Sequence, residues 1–518
     1  MCRSKLFTAL LFCGLAAAAE ISIEADNINY AGENQFVRAS GNVVVINGNI
    51  KLQADSTTVN LEQKQLSAND GFVFNRDQQQ VTGDSLQYDY QKNEAYGENI
   101  TLTIRKNKIH GQNVTIREDS IVVEHASQTT CDQPDPCNHI TSRRLSIYPE
   151  WGDVVNDHAV IYFFFLPVMY VPNNVSDLSG NLDSMYSAIP QLGYNPVEGA
   201  YAKAGLSYYR NEKLTGTLDL HYLANLGARV GFTNKYKLSQ DHRGQLRLHY
   251  LTGLGGRTSY GFQHSMLLGV PQKERSQIID EFFSGVMPPS SETYPELTFT
   301  LTNREMSSYQ WVSYRPKLGL TTPVYSAPLG LDFSFSGFAA QIREEDVELP
   351  WDSVDLDRLK FQPGTREYWQ HNWEGKVERK FGLGAFGELT PDATYSSSAY
   401  YEKNQLTGFW KRLIYNLNYK KNWQRLSFNA GYKYTPDELG ISPFNSETLD
   451  AGTSEENHFG LGWQALDNLK LNYTRHYSIT EHKIRDQIYG LEFKLCHWNI
   501  SINRSEYYKQ YTFGVSLQ

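Results

Sequence analysis

The sequence predicts an all-β protein in two parts: an N-terminal β-roll or jellyroll, then a large C-terminal antiparallel β-barrel of the transmembrane kind. Three observations predict it. A short motif recurs at a fixed spacing of 29 residues in the first part. Alternation of apolar and polar residues runs through the second. Near residue 150 the aromatic content changes abruptly, because all nine tryptophans lie from Trp151 onward, together with 29 of the 34 tyrosines.

Residues 1–19 read as a secretory signal peptide. Arg3 and Lys5 supply the positive start, residues 6–15 an apolar run, and residues 16–19 the small side chains of a cleavage zone after Ala19. Cys13 follows Phe12 rather than a small residue, which argues against a lipid-anchored signal. The formal net charge of -9, with no stretch that concentrates Lys and Arg, argues against a nucleic-acid partner. Past the signal no 18 consecutive residues are apolar, and the mean hydropathy is -0.50, so a bundle of membrane helices is excluded. A membrane barrel is compatible with such low hydropathy, since its strands need apolar residues only at alternate positions.

The region 20–150 is the repetitive one. Ala25-Asp26 recurs as Ala54-Asp55 and again as Gly83-Asp84, and four residues after each aspartate stands a strand residue: Tyr30, Val59 and Tyr88. Glycine-led strands follow at Gly41, Gly71 and Gly97. A fixed period of this size marks stacked supersecondary units, none of which buries its apolar face alone. Alternation within them puts Val43, Val45, Leu52, Val59, Phe72, Leu86, Tyr88, Ile100 and Leu102 on the interior face.

The region 151–518 carries the barrel signature. In residues 214–222, Leu214, Leu218, Leu220 and Tyr222 share one face, and Thr215, Thr217, Asp219 and His221 the other. Residues 426–434 and 511–517 repeat the pattern. Segments of about ten alternating residues suit strands with lipid on one side and a polar lumen on the other. Backbone groups in lipid must all be paired, so such a sheet has to close. About 18 to 20 segments can be counted, and the polar stretches near 270–295, 343–370 and 436–454 are expected as outward loops. Tyr and Trp suit the two membrane interfaces because each ring joins an apolar body to a polar handle.

The junction is the most specific part. Thr129-Thr130-Cys131 leads through Cys137 to the apolar run Phe163-Phe164-Phe165-Leu166-Pro167-Val168-Met169-Tyr170-Val171-Pro172, and Ser187 to Asn195 reads SAIPQLGYN. Pro167 and Pro172 each lack an N–H and interrupt this strand, which is unusual away from an edge or a bulge and suggests a weakly paired seam. Over 129–195 these motifs resemble the domain junction of the lipopolysaccharide-assembly outer-membrane protein family (LptD), and the repeats resemble its periplasmic jellyroll. The resemblance implies that lipopolysaccharide arrives over a periplasmic bridge protein of jellyroll type. Its acyl chains would rest in the apolar groove of the nine residues named above. It would then leave through a lateral gate between the first and last barrel strands, onto which Pro167, Pro172 and Pro190 are carried over. It further implies an outer-membrane lipoprotein plug inside the barrel, insertion by the barrel-assembly machinery, and a bacterial outer-membrane location with the N-terminal domain in the periplasm. The roughly 360 residues of the second region are few for the family's barrel, and the C-terminus ends in Leu517-Gln518 rather than an aromatic residue.

Cysteine usage fits the same picture. Cys2 and Cys13 leave with the signal, and Cys131, Cys137 and Cys496 remain, so one thiol is always left over. The resemblance implies interdomain disulfides. It favours Cys131–Cys496, with a local Cys131–Cys137 bond as the alternative, and this chain departs from the family in having one C-terminal cysteine and an extra one at Cys137.

The thirteen histidines are scattered, and no His, Cys and carboxylate set has metal-ligand spacing. No catalytic constellation stands out, so neither an enzyme nor a cofactor is expected. The leading function is assembly of lipopolysaccharide at the outer-membrane surface. The alternative is a passive porin or solute channel with a periplasmic docking domain.

Overall fold

In the computed structural model, described over residues 21–517 apart from 32–34, 48–49, 77–78, 105–106, 118, 132–135, 178–189, 212, 254–255, 284–285, 287, 308–309, 347–363, 437, 451–453 and 496–497, the chain is nearly all β. The expected signal peptide and Cys496 lie outside the described residues. Two compact units divide at Thr130, with the short stretch 279–285 counted in the first. The division expected near residue 150 falls instead inside one hairpin, because Asn138–Tyr148 pairs with Asp153–Phe163 across it. Aromatic content marks where side chains suit a membrane interface, and backbone pairing takes no notice of that.

The first unit is an antiparallel jellyroll-like sheet. Phe36–Asn47 pairs with Ile50–Asn60, that strand with Gln65–Arg76, and Glu94–Ile104 with Asn107–Ile116. Its interior is apolar: Val43, Val45, Leu52, Val59, Phe72, Leu86, Tyr88, Ile100 and Leu102 are all buried. The 29-residue motif builds the corners. At each turn of the roll one residue takes the left-handed conformation, Asn42 (φ 48), Asp70 (φ 64) and Asn99 (φ 48), and the strand bends there. The aspartates of the motif brace two of these corners, since Asn42 Nδ2 donates to Asp26 at 3.0 Å and Asn99 Nδ2 to Asp84 at 2.7 Å. Gly41 (φ 80) is required at the first, for a Cβ there would meet the Asp26 carboxylate at 2.5 Å. Across the bend the buried parity flips in Glu94–Ile104, from Ala95 to Ile100, Leu102 and Ile104, so the apolar face turns with the chain.

The second unit holds three consecutively paired antiparallel strands, Asn138–Tyr148, Asp153–Phe163 and Leu166–Asp177, and a closed antiparallel barrel of 18 strands. The barrel begins with Gln191–Asn195 and Gly199–Asn211 and ends with Trp498–Ser505 and Gln510–Leu517. Counting strands around it assigns the connections to two rims. The near rim carries the entry at Gln191, the turns after Asn211 and Lys237, and the segment between Leu267 and Glu296. The far rim carries the turns after Asn195, Leu223, Leu251 and Ser505 and the segments after Asp346 and Tyr434. Of the three stretches expected as outward loops, 270–295 therefore leaves from the rim opposite to the other two; polarity alone does not carry strand parity. Large apolar side chains such as Tyr222, Phe232, Phe333, Phe335, Trp373 and Leu461 stand exposed on one face of their strands, as a lipid-facing surface requires. No described helix is long and apolar enough to cross a membrane.

Candidate functional site

The barrel closes weakly. Among the described residues its first and last strands meet through three residue pairs, Leu192 opposite Phe513, Gly193 opposite Thr512 and Tyr194 opposite Tyr511. The next interface, between Gln191–Asn195 and Gly199–Asn211, has five, and the one after it, between Gly199–Asn211 and Leu214–Leu223, has ten. A cross-strand side-chain pair contributes roughly 0.2–1 kcal/mol beyond the backbone ladder, so three add less here than the longer interfaces gain. Gly193 is the close approach within it, because a Cβ there would collide with the Tyr201 hydroxyl and meet the Tyr511 carbonyl at 2.8 Å. Exposed Pro190, with no N–H to give, stands just ahead of the first strand.

The three paired strands ahead of the barrel pack beside this closure. Ile140, Ala159, Ile161 and Val171 from the sheet and Trp498 from the penultimate strand form one buried apolar cluster, joined by Phe163, Met169, Leu206, Leu495 and Val515. Leu206 lies on the strand after the first, and Val515 on the last, so the cluster touches both sides of the closure. The Trp498 ring meets Phe163 edge-on at 5.7 Å. Towards the near rim, Tyr148 stacks on Tyr209 at 5.3 Å, Lys237 pairs with Asp153 at 2.7 Å, and Arg275 with Glu150 at 2.7 Å. The hairpin tip is the reverse of buried: Phe165, Leu166, Val168 and Tyr170 are exposed apolar surface. Replacing Trp498 by Ala should remove about 3–5 kcal/mol of packing. Limited proteolysis of the folded protein should then cut between residues 138 and 177, and an unchanged digestion pattern would show that the cluster does not hold the sheet.

Pro167 and Pro172 require a correction. Neither is in the barrel. Both lie in Leu166–Asp177, the edge strand beside Asp153–Phe163, with Pro167 opposite Tyr162 at a register shift and Pro172 between Val171 and Asn173, where the register runs on unbroken. That placement obeys the rule that proline keeps to edges and bulges. Their strand is apolar because one face joins the cluster and the other is the exposed hairpin, and a sequence apolar on both faces does not distinguish this from a barrel strand. Cys131 and Cys137 are both buried, with their sulfurs 3.8 Å apart, well beyond the roughly 2.05 Å of a disulfide, so the local bond is not formed.

Two further features of the lumen escaped sequence reasoning. One is a segment of the far rim folded into the barrel. Along Leu331–Asp346 the exposed side chains are Phe333 and Phe335, while Ala340, Ile342 and Glu344, of opposite parity, are buried and face inward. The fully buried Glu344 pairs with Arg366 at 3.2 Å and accepts the backbone N–H groups of Asn445 and Ser446 at 2.8 and 2.9 Å. These begin the short helix Asn445–Asp450, whose Glu447 accepts hydrogen bonds from Gln370, Tyr400 and Ser442. Phe444 is buried against Tyr368 and Tyr400. The other is a cavity of about 500 Å3 at the far rim, lined by residues of the first and last hairpins together with Arg229, Arg257, Arg304 and Arg485. Among the described residues no group of three or more His, Cys, Asp and Glu could hold a metal ion.

Comparison with known proteins bears on the first unit. Residues 22–122 match the family model described as LptA/(LptD N-terminal domain) LPS transport protein. Among solved structures the chain is similar to LptH of Pseudomonas aeruginosa, the LptA-homologous periplasmic component of its lipopolysaccharide transport device, at 16% identity over 19% of this chain and 75% of that one, with a TM-score of 0.18. It is also similar to a loop-deleted OmpT, an outer-membrane protein of Vibrio cholerae, at 9% identity over 63% and 94% of the two chains and a TM-score of 0.21. A third is OccK11 of Pseudomonas aeruginosa, at 10% over 63% and 93% with a TM-score of 0.24. TM-scores this low carry no argument. No curated protein matches the chain. The domain match stands on its own sequence. An LptA/LptD N-terminal-type domain thus matches residues 22–122, and a closed β-barrel follows it in the same chain.

Proposed function

We propose that the protein takes lipopolysaccharide from a periplasmic bridge of similar jellyrolls and delivers it to the outer-membrane surface through the closure between its first and last strands. The acyl chains rest in the apolar interior of the roll, against Val43, Val45, Leu52, Val59, Phe72, Leu86, Tyr88, Ile100 and Leu102. They then pass along the apolar cluster around Ile161 and Trp498, while the sugars stay in the polar lumen. The observation that carries this reading is the closure of three residue pairs with an apolar cluster touching both its sides. Pro190 keeps the approach to the first strand short of a donor, and Pro167 and Pro172 leave the outer strand of the sheet a poor template for further pairing. The exposed hairpin tip at Phe165 faces lipid. A lipoprotein plug and the barrel-assembly machinery are partners this reading requires.

One specific observation favours the alternative, a passive channel: part of the lumen is filled by the protein's own far-rim segment around Phe444, as a pore constricted by its own loop would be. Depletion separates the two. Loss of lipopolysaccharide from the cell surface supports delivery. Loss of small-solute uptake with intact surface lipopolysaccharide would leave only the channel.

The remaining disulfide is assigned to Cys137 and Cys496. Phe164 N donates to the Cys137 carbonyl, which ties this cysteine to the end of the hairpin whose Phe163 packs on Trp498, and Cys496 lies two residues before Trp498 in the chain. Such a bond would anchor the sheet to the barrel at the closure. On non-reducing gels Cys137→Ser and Cys496→Ser should each abolish the mobility difference that reductant produces, and Cys131→Ser should keep it. Loss of that difference in Cys131→Ser instead would restore the Cys131–Cys496 pairing.

A further inference from the structure

We propose that the cavity at the far rim binds an anionic saccharide, a sugar carrying carboxylate or phosphate groups. This deepens the delivery reading and rests on it, by naming the part of the lipid that the barrel holds. The cavity lies on the inner side of the closure, since Asn195 and Lys203 of the first hairpin and Tyr507 and Gln510 of the last both line it. Its charges come from a single row around the wall. Lys203 stands opposite His221, His221 opposite Arg229, Arg229 opposite Leu251, and Leu251 opposite Arg257. With Arg304 and Arg485 the lining carries five cations and one carboxylate, Glu198, which Lys203 meets at 2.7 Å; behind the lining Arg304 meets Glu345 at 3.3 Å and Arg485 meets Glu481 at 3.6 Å, so the excess positive charge is centred on Arg229 and Arg257. Guanidinium groups pair with carboxylate and phosphate in bidentate fashion, so this lining selects acidic ligands.

The floor narrows the class further. Leu223, Leu226, Leu251 and Trp311 form a buried apolar cluster under the charges. Trp311 lines the cavity, is 6% exposed, and its indole N–H has no hydrogen-bond partner. A buried donor left unmade costs roughly 1–3 kcal/mol, and an acceptor on a ligand would recover it. An inorganic anion has no use for an apolar floor, and an acyl chain none for five cations. A sugar has apolar C–H faces, hydroxyl acceptors and, when acidic, the charge.

The test uses the folded full-length protein in detergent and the water-soluble acidic oligosaccharide obtained by removing all acyl chains from lipopolysaccharide. Its dephosphorylated, carboxyl-reduced form and inorganic phosphate serve as comparison probes. Titration calorimetry should show saturable binding of the acidic oligosaccharide, weakened about tenfold or more in R229Q/R257Q, the loss expected for two charge-assisted pairs. Trp311→Phe keeps the ring and removes only the N–H, so it should weaken binding several-fold in a barrel that still shows heat-modifiable mobility. Equal affinity in both variants, equal binding of the neutral form, or equally tight binding of inorganic phosphate overturns the proposal. The delivery reading fails separately: surface lipopolysaccharide that survives depletion would sink it even where the oligosaccharide binds, and absent binding would leave depletion to decide it alone.

Discussion

A disulfide engineered across the closure, Leu192→Cys with Phe513→Cys, is expected to stop delivery of lipopolysaccharide to the cell surface while leaving the barrel folded. The two residues are directly opposite on antiparallel strands. Directly opposite Cα atoms lie about 4.5–5.5 Å apart, inside the roughly 4.4–6.8 Å range of disulfides, so the bond can form without moving the strands. A closure of three residue pairs has fewer backbone and side-chain contacts to give up on opening than the longer interfaces have. A covalent bond in its middle does not open at all. The effect should approach that of depletion, and reductant should reverse it. The matched control is Leu220→Cys with Val230→Cys, which are opposite each other on the strands Leu214–Leu223 and Gly227–Lys237 and also in register. That bond constrains a well-paired interface and should leave delivery unchanged. Fully crosslinked closure with normal surface lipopolysaccharide would place the exit elsewhere. Inhibition by both crosslinks would mean that barrel rigidity, and not this interface, is being read.

What the sequence shows well is whatever one strand determines alone. Alternation identified strand after strand of the barrel and the nine apolar residues of the roll, all of which are buried, because the period of two is a local property of a pleated chain. The 29-residue motif was visible for a related reason: a corner that needs Gly41 and Asn42 leaves its residues in the text at every turn. Features made by distant segments were hidden. Pro167 and Pro172 were placed at the closure because their run is apolar throughout, yet only pairing with Asp153–Phe163 shows which sheet they join. The cationic row from Lys203 to Arg257 is spread over five strands, four of which contribute one unremarkable polar position each, and it exists only in the register between them. Glu344 and Asn445 are 101 residues apart, and nothing in either neighbourhood announces the other.

That last pair carries the second large effect. Glu344→Gln should release the far-rim segment from the lumen and open the barrel to hydrophilic solutes. The carboxylate is fully buried, and its oxygens serve Arg366 and the first two backbone N–H groups of the helix Asn445–Asp450. Gln keeps the volume and one acceptor but removes the charge. It places an NH2 against donors where an oxygen was needed and takes the Glu344 charge from the mostly buried Arg366 guanidinium. Breaking one side of a buried ion pair costs about 3–5 kcal/mol. The closed segment has further anchors in Glu447 and Phe444, so release is expected as a shift in population rather than as unfolding of the strands. In planar bilayers the variant should show a larger and more frequent open level than the parent, and cells carrying it should become sensitive to hydrophilic antibiotics too large for ordinary porins. Glu344→Asp retains the charge on a shorter arm and should fall between the two. Replacing Arg366 by Met in the Glu344→Gln background removes the guanidinium that Glu344 paired with, and should restore part of the closed population if loss of that ion pair drives the release. Parental conductance in Glu344→Gln would show that Glu447 and Phe444 hold the segment without it, and lumen closure would then rest on packing alone.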